Sequence, residues 1–271
     1  MFQNIISHEY FWLSFLPISL LSVGFWLLFF DRADDKNHPI ILLFLSLIAG
    51  TFSAIFFVFI GKKLALTNFL AKIIGEELSK IFFAILMMEC LKKKFSTIGD
   101  GVIYGFAVGL GFSFVENIVY LFNRYNISGF DEGFWLNFQG RFWSTTLLHG
   151  VATALFGFYY AGAFLSKTVH KKNHKSPLLV FFVPPNWRQF LCIISLHVTR
   201  KHFLFKNIVA VKEHYARAII TEGFIIAVFV HFVFNFAIEK SRFEVSFFVA
   251  IFGLWFLGQK VKKLCKNKIQ K

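Results

Sequence analysis

The chain has 271 residues, 56% of them hydrophobic, and a mean hydropathy of +0.61; this is too apolar for an ordinary soluble domain and points to a polytopic membrane protein. The net charge is +14, but the lysines and arginines cluster between the apolar runs, as expected of loops facing anionic lipid headgroups. No nucleic-acid-binding motif is present.

Crossing a bilayer as a helix takes about 20 apolar residues. Seven runs meet or nearly meet that length: 10–30, 39–60, 72–91, 101–123, 142–165, 216–238 and the shorter 243–259. Residues 1–9 carry no Lys or Arg, so the first run lacks the basic lead of a signal peptide and reads as a retained span. An eighth apolar run, 177–196, is interrupted by Pro184-Pro185, which a helix interior tolerates poorly. Charge decides against its crossing. With seven spans and the N-terminus outside, 21 Lys and Arg fall on the cytoplasmic side and seven on the outer side. An eighth span would place the basic tail outside, against the positive-inside bias. The expected fold is therefore all-α: a polytopic transmembrane bundle of about seven spans with a cytoplasmic C-terminus. It forms one membrane-embedded domain over 1–271, with a basic cytoplasmic loop at 166–217 and a basic tail at 260–271. Cys90, Cys192 and Cys265 all fall at the reducing side and form no metal or disulfide pattern.

Two stretches put charge where it is expensive. One is Glu76-Glu77-Leu78-Ser79-Lys80 at the start of the third run, and the other is Glu116-Asn117 inside the fourth. An ionised group near the bilayer centre costs about 2.5–3.5 kcal/mol on insertion scales, so these residues are functional candidates. Glu76 and Lys80, four apart, share a helix face, and Glu77 is three from Lys80. Glu116 lies on the same face as Gly105 and Gly109, where another helix can approach closely. His149 opens the fifth run beside a small-residue face, and His231 and Asn235 point one way from the sixth. On the seven-span map all of these lie at similar depth, in the outer half of the membrane.

Buried carboxylates, two histidines and an amide suit hydrolysis. One carboxylate can act as general base, and His and Asn can stabilise an oxyanion. The same residues could instead hold a metal with an open position for water; no His-Glu-x-x-His signature is present, and no residue is assigned to a metal from sequence. Intramembrane Glu, Lys and His also mark ion pathways, so a proton- or ion-coupled transporter is the alternative, although no internal repeat is visible.

The order Glu76-Glu77-x-x-Lys80, Gly105-Phe106, Gly111-Phe112-x-x-x-Glu116-Asn117, His149-Gly150 and His231-x-x-x-Asn235 resembles the PrsW family of intramembrane proteases, relatives of the CAAX-processing and bacteriocin-processing membrane proteases. The resemblance spans roughly residues 72–235. It implies a multi-pass protease of the bacterial cytoplasmic membrane making the first cut in an anti-sigma-factor-like, single-span substrate on the outer side. It also implies that Glu76, Glu77, Glu116, His149, His231 and Asn235 are catalytic, with Glu76 activating water, and that Lys80 and Asn117 support them. The cofactor stays open at this point: none is required if the protease is of glutamic type, and zinc is an option otherwise. The sequence departs from the family's pattern in its long loop around Pro184-Pro185 and in Phe234, where a Trp is expected before the Asn.

Overall fold

The computed structural model describes residues 9–32, 38–63, 68–91, 95–168, 213–240 and 242–269, and is helical throughout with no strand among them. In chain order the helices are α1 (Glu9–Arg32), α2 (Ile40–Lys63), α3 (Phe69–Cys90), α4 (Ile98–Ser128), α5 (Glu132–Gly140), a π-helical turn (Arg141–Thr145), α6 (Thr146–Thr168), α7 (Glu213–Glu239) and α8 (Phe243–Ile269).

Among the described residues, five stretches are long and apolar enough to cross a membrane: Phe15–Arg32, Ile40–Gly61, Ile98–Ser128, Glu132–Leu165 and Ala218–Glu239. This is a multi-pass membrane protein. Helix α3 has the length but not the composition, because its first three turns carry Lys72, Glu76, Glu77 and Lys80. In α8 the apolar stretch is shorter, Glu244–Gln259.

Local chemistry fixes the boundaries. Asn68 Oδ1 accepts from the Leu70 and Ala71 N–H groups at 3.0 and 3.1 Å and opens α3. Thr97 and Asp100 form a reciprocal capping box at the start of α4. That helix ends at Gly129, whose φ of 64° places it in the left-handed region that glycine adopts without a Cβ penalty. Asp131 then caps α5; the hydrogen bond from the Phe134 N–H holds its carboxyl below the usual range, and Arg124, 2.8 Å away, acts in the same direction.

Helix α4 is the axis of the bundle, packed against α6 on one side and α2 on the other. Small residues make this closeness possible. A Cβ at Gly109 would fall 2.1 Å from the His149 carbonyl oxygen of α6, and one at Gly111 would fall 2.0 Å from the Leu47 carbonyl oxygen of α2. The glycine-lined face expected from sequence thus meets α6. Helix α7 covers α6 and reaches α3, α8 lies on α7 and α6, and α1 lies on α4. At the end of the bundle away from Glu116, His38 bridges Asp31 at 3.2 Å and Asp100 at 3.3 Å, tying the α1–α2 connection to the start of α4.

The structure shifts some expected limits. The fourth run continues as helix to Ser128, and the fifth begins at Glu132 instead of 142. The reason is that Asp131 caps a turn whose Phe134 is fully buried against Phe15 and Phe122. The 260–271 stretch, expected as a tail, continues α8 to Ile269. The interrupted run 177–196 and most of the 166–217 loop lie outside the described residues.

Candidate active site

Four helices, α3, α4, α6 and α7, bring the sequence-selected polar residues to one place. The centre is Lys80, whose side chain is fully buried. Its ammonium donates to Glu77 Oε1 at 2.5 Å and to His149 Nδ1 at 2.9 Å. It also lies over the Phe112 ring, 4.9 Å from the centroid. Glu77, likewise fully buried, receives His231 Nδ1 at 2.6 Å on the same oxygen. His149 turns its other nitrogen, Nε2, to Glu116 Oε2 at 2.6 Å, and His231 Nε2 meets the Asn235 amide nitrogen at 3.0 Å. The two imidazole rings are 4.9 Å apart, edge to face.

The partners dictate the tautomers. An ammonium only donates, so His149 Nδ1 accepts and its Nε2–H faces the Glu116 carboxylate. The Asn235 amide donates to His231 Nε2, so His231 Nδ1–H faces Glu77. A continuous run of polar contacts therefore joins Glu116, His149, Lys80, Glu77, His231 and Asn235 across the bundle.

Sequence spacing puts both Glu76 and Glu77 within reach of Lys80, and the structure selects one of them. Lys80 bonds Glu77, one helical turn away at i−3, and Glu76 pairs more loosely with its neighbours. Glu76 Oε2 is 3.5 Å from His231 Nε2, and Oε1 is 3.9 Å from Nζ of the exposed Lys72. The 100° between adjacent residues on a helix sends the two carboxylates to different partners. Glu77 is locked in place, and Glu76, only 3% exposed, is held by long contacts.

Asn117, adjacent to Glu116, faces the start of α6: its amide nitrogen donates to Thr146 Oγ1 at 3.0 Å. Arg141, which sequence reasoning counts among the outer loop charges, enters the site instead. It donates to Asn117 Oδ1 at 3.0 Å and lies 3.6 Å from Glu116 Oε1. The signal that could have found it is its position about two turns before His149, and the π-helical turn at Arg141–Thr145 sets the direction it takes.

Glu77, His149 and His231 each offer a ligand atom, all within 4.8 Å of one another. Two imidazoles and a carboxylate are an ordinary zinc donor set. Glu77 Oε2 is moreover buried with no hydrogen-bond partner, as an oxygen reserved for a cation would be. The three residues fit a metal.

No curated protein and no solved structure matches the chain. A family model described as PrsW family intramembrane metalloprotease matches residues 38–185, more than half of the length. The match contains Glu76, Glu77, Lys80, Glu116, Asn117 and His149, and stops short of His231 and Asn235, which the fold adds to the same cluster. It favours hydrolysis over transport as the use of these buried charges. The chain belongs to the PrsW family of intramembrane metalloproteases, and its activity is that of an intramembrane endopeptidase.

Proposed function

We propose that the chain cuts a peptide bond in a single-span membrane protein, close to the outer face of a bacterial cytoplasmic membrane. The substrate class is that of an anti-sigma factor, as the resemblance to the family implies. The topology behind this is seven spans with the N-terminus outside and the C-terminus in the cytoplasm; the basic 166–217 loop then meets anionic headgroups at the inner surface. Contact among residues early in α3, late in α4, early in α6 and late in α7 supports a single depth for the site.

Glu76 is the general base. The observation that carries this is the contrast between the adjacent glutamates: Glu77 is bonded at 2.5 and 2.6 Å to Lys80 and His231, whereas the contacts of Glu76 are 3.5 Å or longer. A carboxylate already engaged by two short bonds is a poor proton acceptor, and the looser one can take a proton from water attacking the scissile carbonyl. Glu77 anchors Lys80 and orients His231. Asn235 supplies an amide N–H for the oxyanion, and Glu116 holds His149. A metal, for which zinc is the fitting ion, would be held by Glu77, His149 and His231 and would supply Lewis-acid polarisation of the carbonyl. In the metal-free version the two histidines would fill that electrostatic role by turning their ring N–H groups, now facing Glu116 and Glu77, to the oxyanion.

The test is reconstitution in liposomes with a tagged single-span substrate, with and without chelator. Wild type is expected to release two fragments, and Glu76→Gln none while still co-purifying with substrate. Cleavage by Glu76→Gln at the wild-type rate would remove the base assignment. Activity insensitive to chelator would select the metal-free version.

A further inference from the structure

Five residues between α5 and α6, Arg141–Thr145, form a π-helical turn. Such turns are rare and are frequently found at functional sites. This one is held from three helices. The Thr146 backbone N–H and its hydroxyl both donate to the Arg141 carbonyl, the hydroxyl at 2.8 Å. Asn117 of α4 donates to that hydroxyl. From α1, Ser22 Oγ at 2.8 Å and Trp26 Nε1 at 3.4 Å donate to the Phe142 carbonyl. The widened turn therefore has its backbone acceptors filled by side chains placed for the purpose, and its geometry is fixed.

The consequence is the place of one guanidinium. Arg141 stacks on the Tyr120 ring, 3.5 Å from its centroid, donates to Asn117 Oδ1, and lies 3.6 Å from Glu116 Oε1. The other oxygen of Glu116 is the one on His149. Arg141 itself is 16% exposed. A planar fork that stacks and makes two polar contacts at once is a role Lys cannot fill.

We propose that Arg141 is a positioning residue for the reaction: it fixes the Glu116 carboxylate against His149 Nε2, so that the ring presents Nδ1 to the centre of the site. The inference rests on Glu116 and His149 belonging to the active site. Its effect should be carried entirely through Glu116.

The test has a spectroscopic arm and a kinetic arm. In full-length protein with ¹⁵N-labelled histidine, assigned by the signal missing in His149→Gln, wild type should show His149 as the Nε2–H tautomer. Lys80 keeps that tautomer in every variant that retains it, but Arg141→Met should lose the wild-type Nε2–H chemical shift, as should Glu116→Gln. Arg141→Lys, which keeps the charge and guards against misfolding, should restore it only in part. An unchanged His149 spectrum in Arg141→Met overturns the inference whether or not the protein cleaves anything. In the cleavage assay Arg141→Met should lower kcat on the order of 10–100-fold, the scale of a misplaced reacting group, with KM unchanged. In the Glu116→Gln background it should have no further effect. A raised KM would make Arg141 a substrate contact, and losses that multiply in the double variant would make it a structural residue; either result refutes positioning. Absence of cleavage by wild type would instead count against the protease reading of the site, with the histidine spectra still deciding the role of Arg141.

Discussion

Lys80 Nζ lies 2.5 Å from Glu77 Oε1, and both side chains are fully buried. One ammonium thus neutralises one carboxylate inside the bundle and, through His149, ties α3 to α6. Removing one partner of a buried pair leaves an uncompensated charge, at a cost of about 3–5 kcal/mol. Lys80→Met is therefore expected to destabilise the protein by that order, and Lys80→Met with Glu77→Gln to recover most of it. Thermal unfolding in detergent measures both. A double variant no more stable than Lys80→Met would mean that the pair does not carry the coupling.

Glu76→Gln should behave differently. Its carboxylate makes no contact shorter than 3.5 Å among the ion pairs described, so little folding energy depends on its charge. The prediction is loss of turnover with an unfolding temperature near wild type, while Glu77→Gln loses both. Activity and melting curves on the same preparations separate the two glutamates. Equal destabilisation by both substitutions would contradict their assigned roles.

Much of this site was legible because membranes punish buried charge. Glu76, Glu77, Lys80 and Glu116 stand out in apolar runs for that reason alone, and chain direction brings His149, His231 and Asn235 to their depth. Close approach of another helix to α4 was legible in Gly105 and Gly109, but that this helix is α6 was not. What was not legible depends on rotation within a turn. Spacing cannot say that Lys80 selects Glu77 over Glu76, since i−3 and i−4 are both neighbours on a helix. Arg141 was hidden by a π-helical register that no residue type announces. His38 with Asp31 and Asp100 was hidden because that contact needs the α1–α2 connection folded back on α4.

The metal can be counted directly. If Glu77, His149 and His231 hold an ion, purified wild type should contain one equivalent of zinc by elemental analysis, and His231→Ala should lose it. Glu76→Gln should keep it, because Glu76 is not in the ligand set. Wild type free of metal yet active would assign the chemistry to the carboxylates and histidines alone.

Topology has its own check. The topology proposed from the charge asymmetry predicts a cytoplasmic C-terminus and an outer position for the turn at 129–131 between α4 and α5. A reporter fused after residue 263 should report cytoplasm, and one inserted after Gly129 should report the outer side. Gly129 itself is kept, because its φ of 64° favours glycine, and the reporter follows it in a turn where nothing lies within 4 Å of its Cβ position. A tail found outside would invert the proposed side of cleavage.

The last prediction concerns the approach of α4 to α6. At Gly109 an added Cβ would lie 2.1 Å from the His149 carbonyl oxygen and 2.8 Å from the Gly150 Cα. Both are backbone atoms, so no side chain can move aside and the helices themselves must separate. Overpacking of this kind costs about 1–3 kcal/mol. The displaced residue is His149, whose two ring nitrogens sit between Lys80 and Glu116, so the shift reaches the site directly. Gly109→Ala is expected to lower the unfolding temperature and to reduce cleavage more than that loss of folded protein explains. Gly24 in α1 is the control: nothing lies within 4 Å of its Cβ position, and Gly24→Ala should leave cleavage unchanged and stability equal or slightly higher, since Ala favours the helix. Unfolding curves and initial rates for the two variants decide the matter. Gly109→Ala with wild-type stability and rate would show that α4 and α6 do not pack this closely and that His149 is not held by their contact.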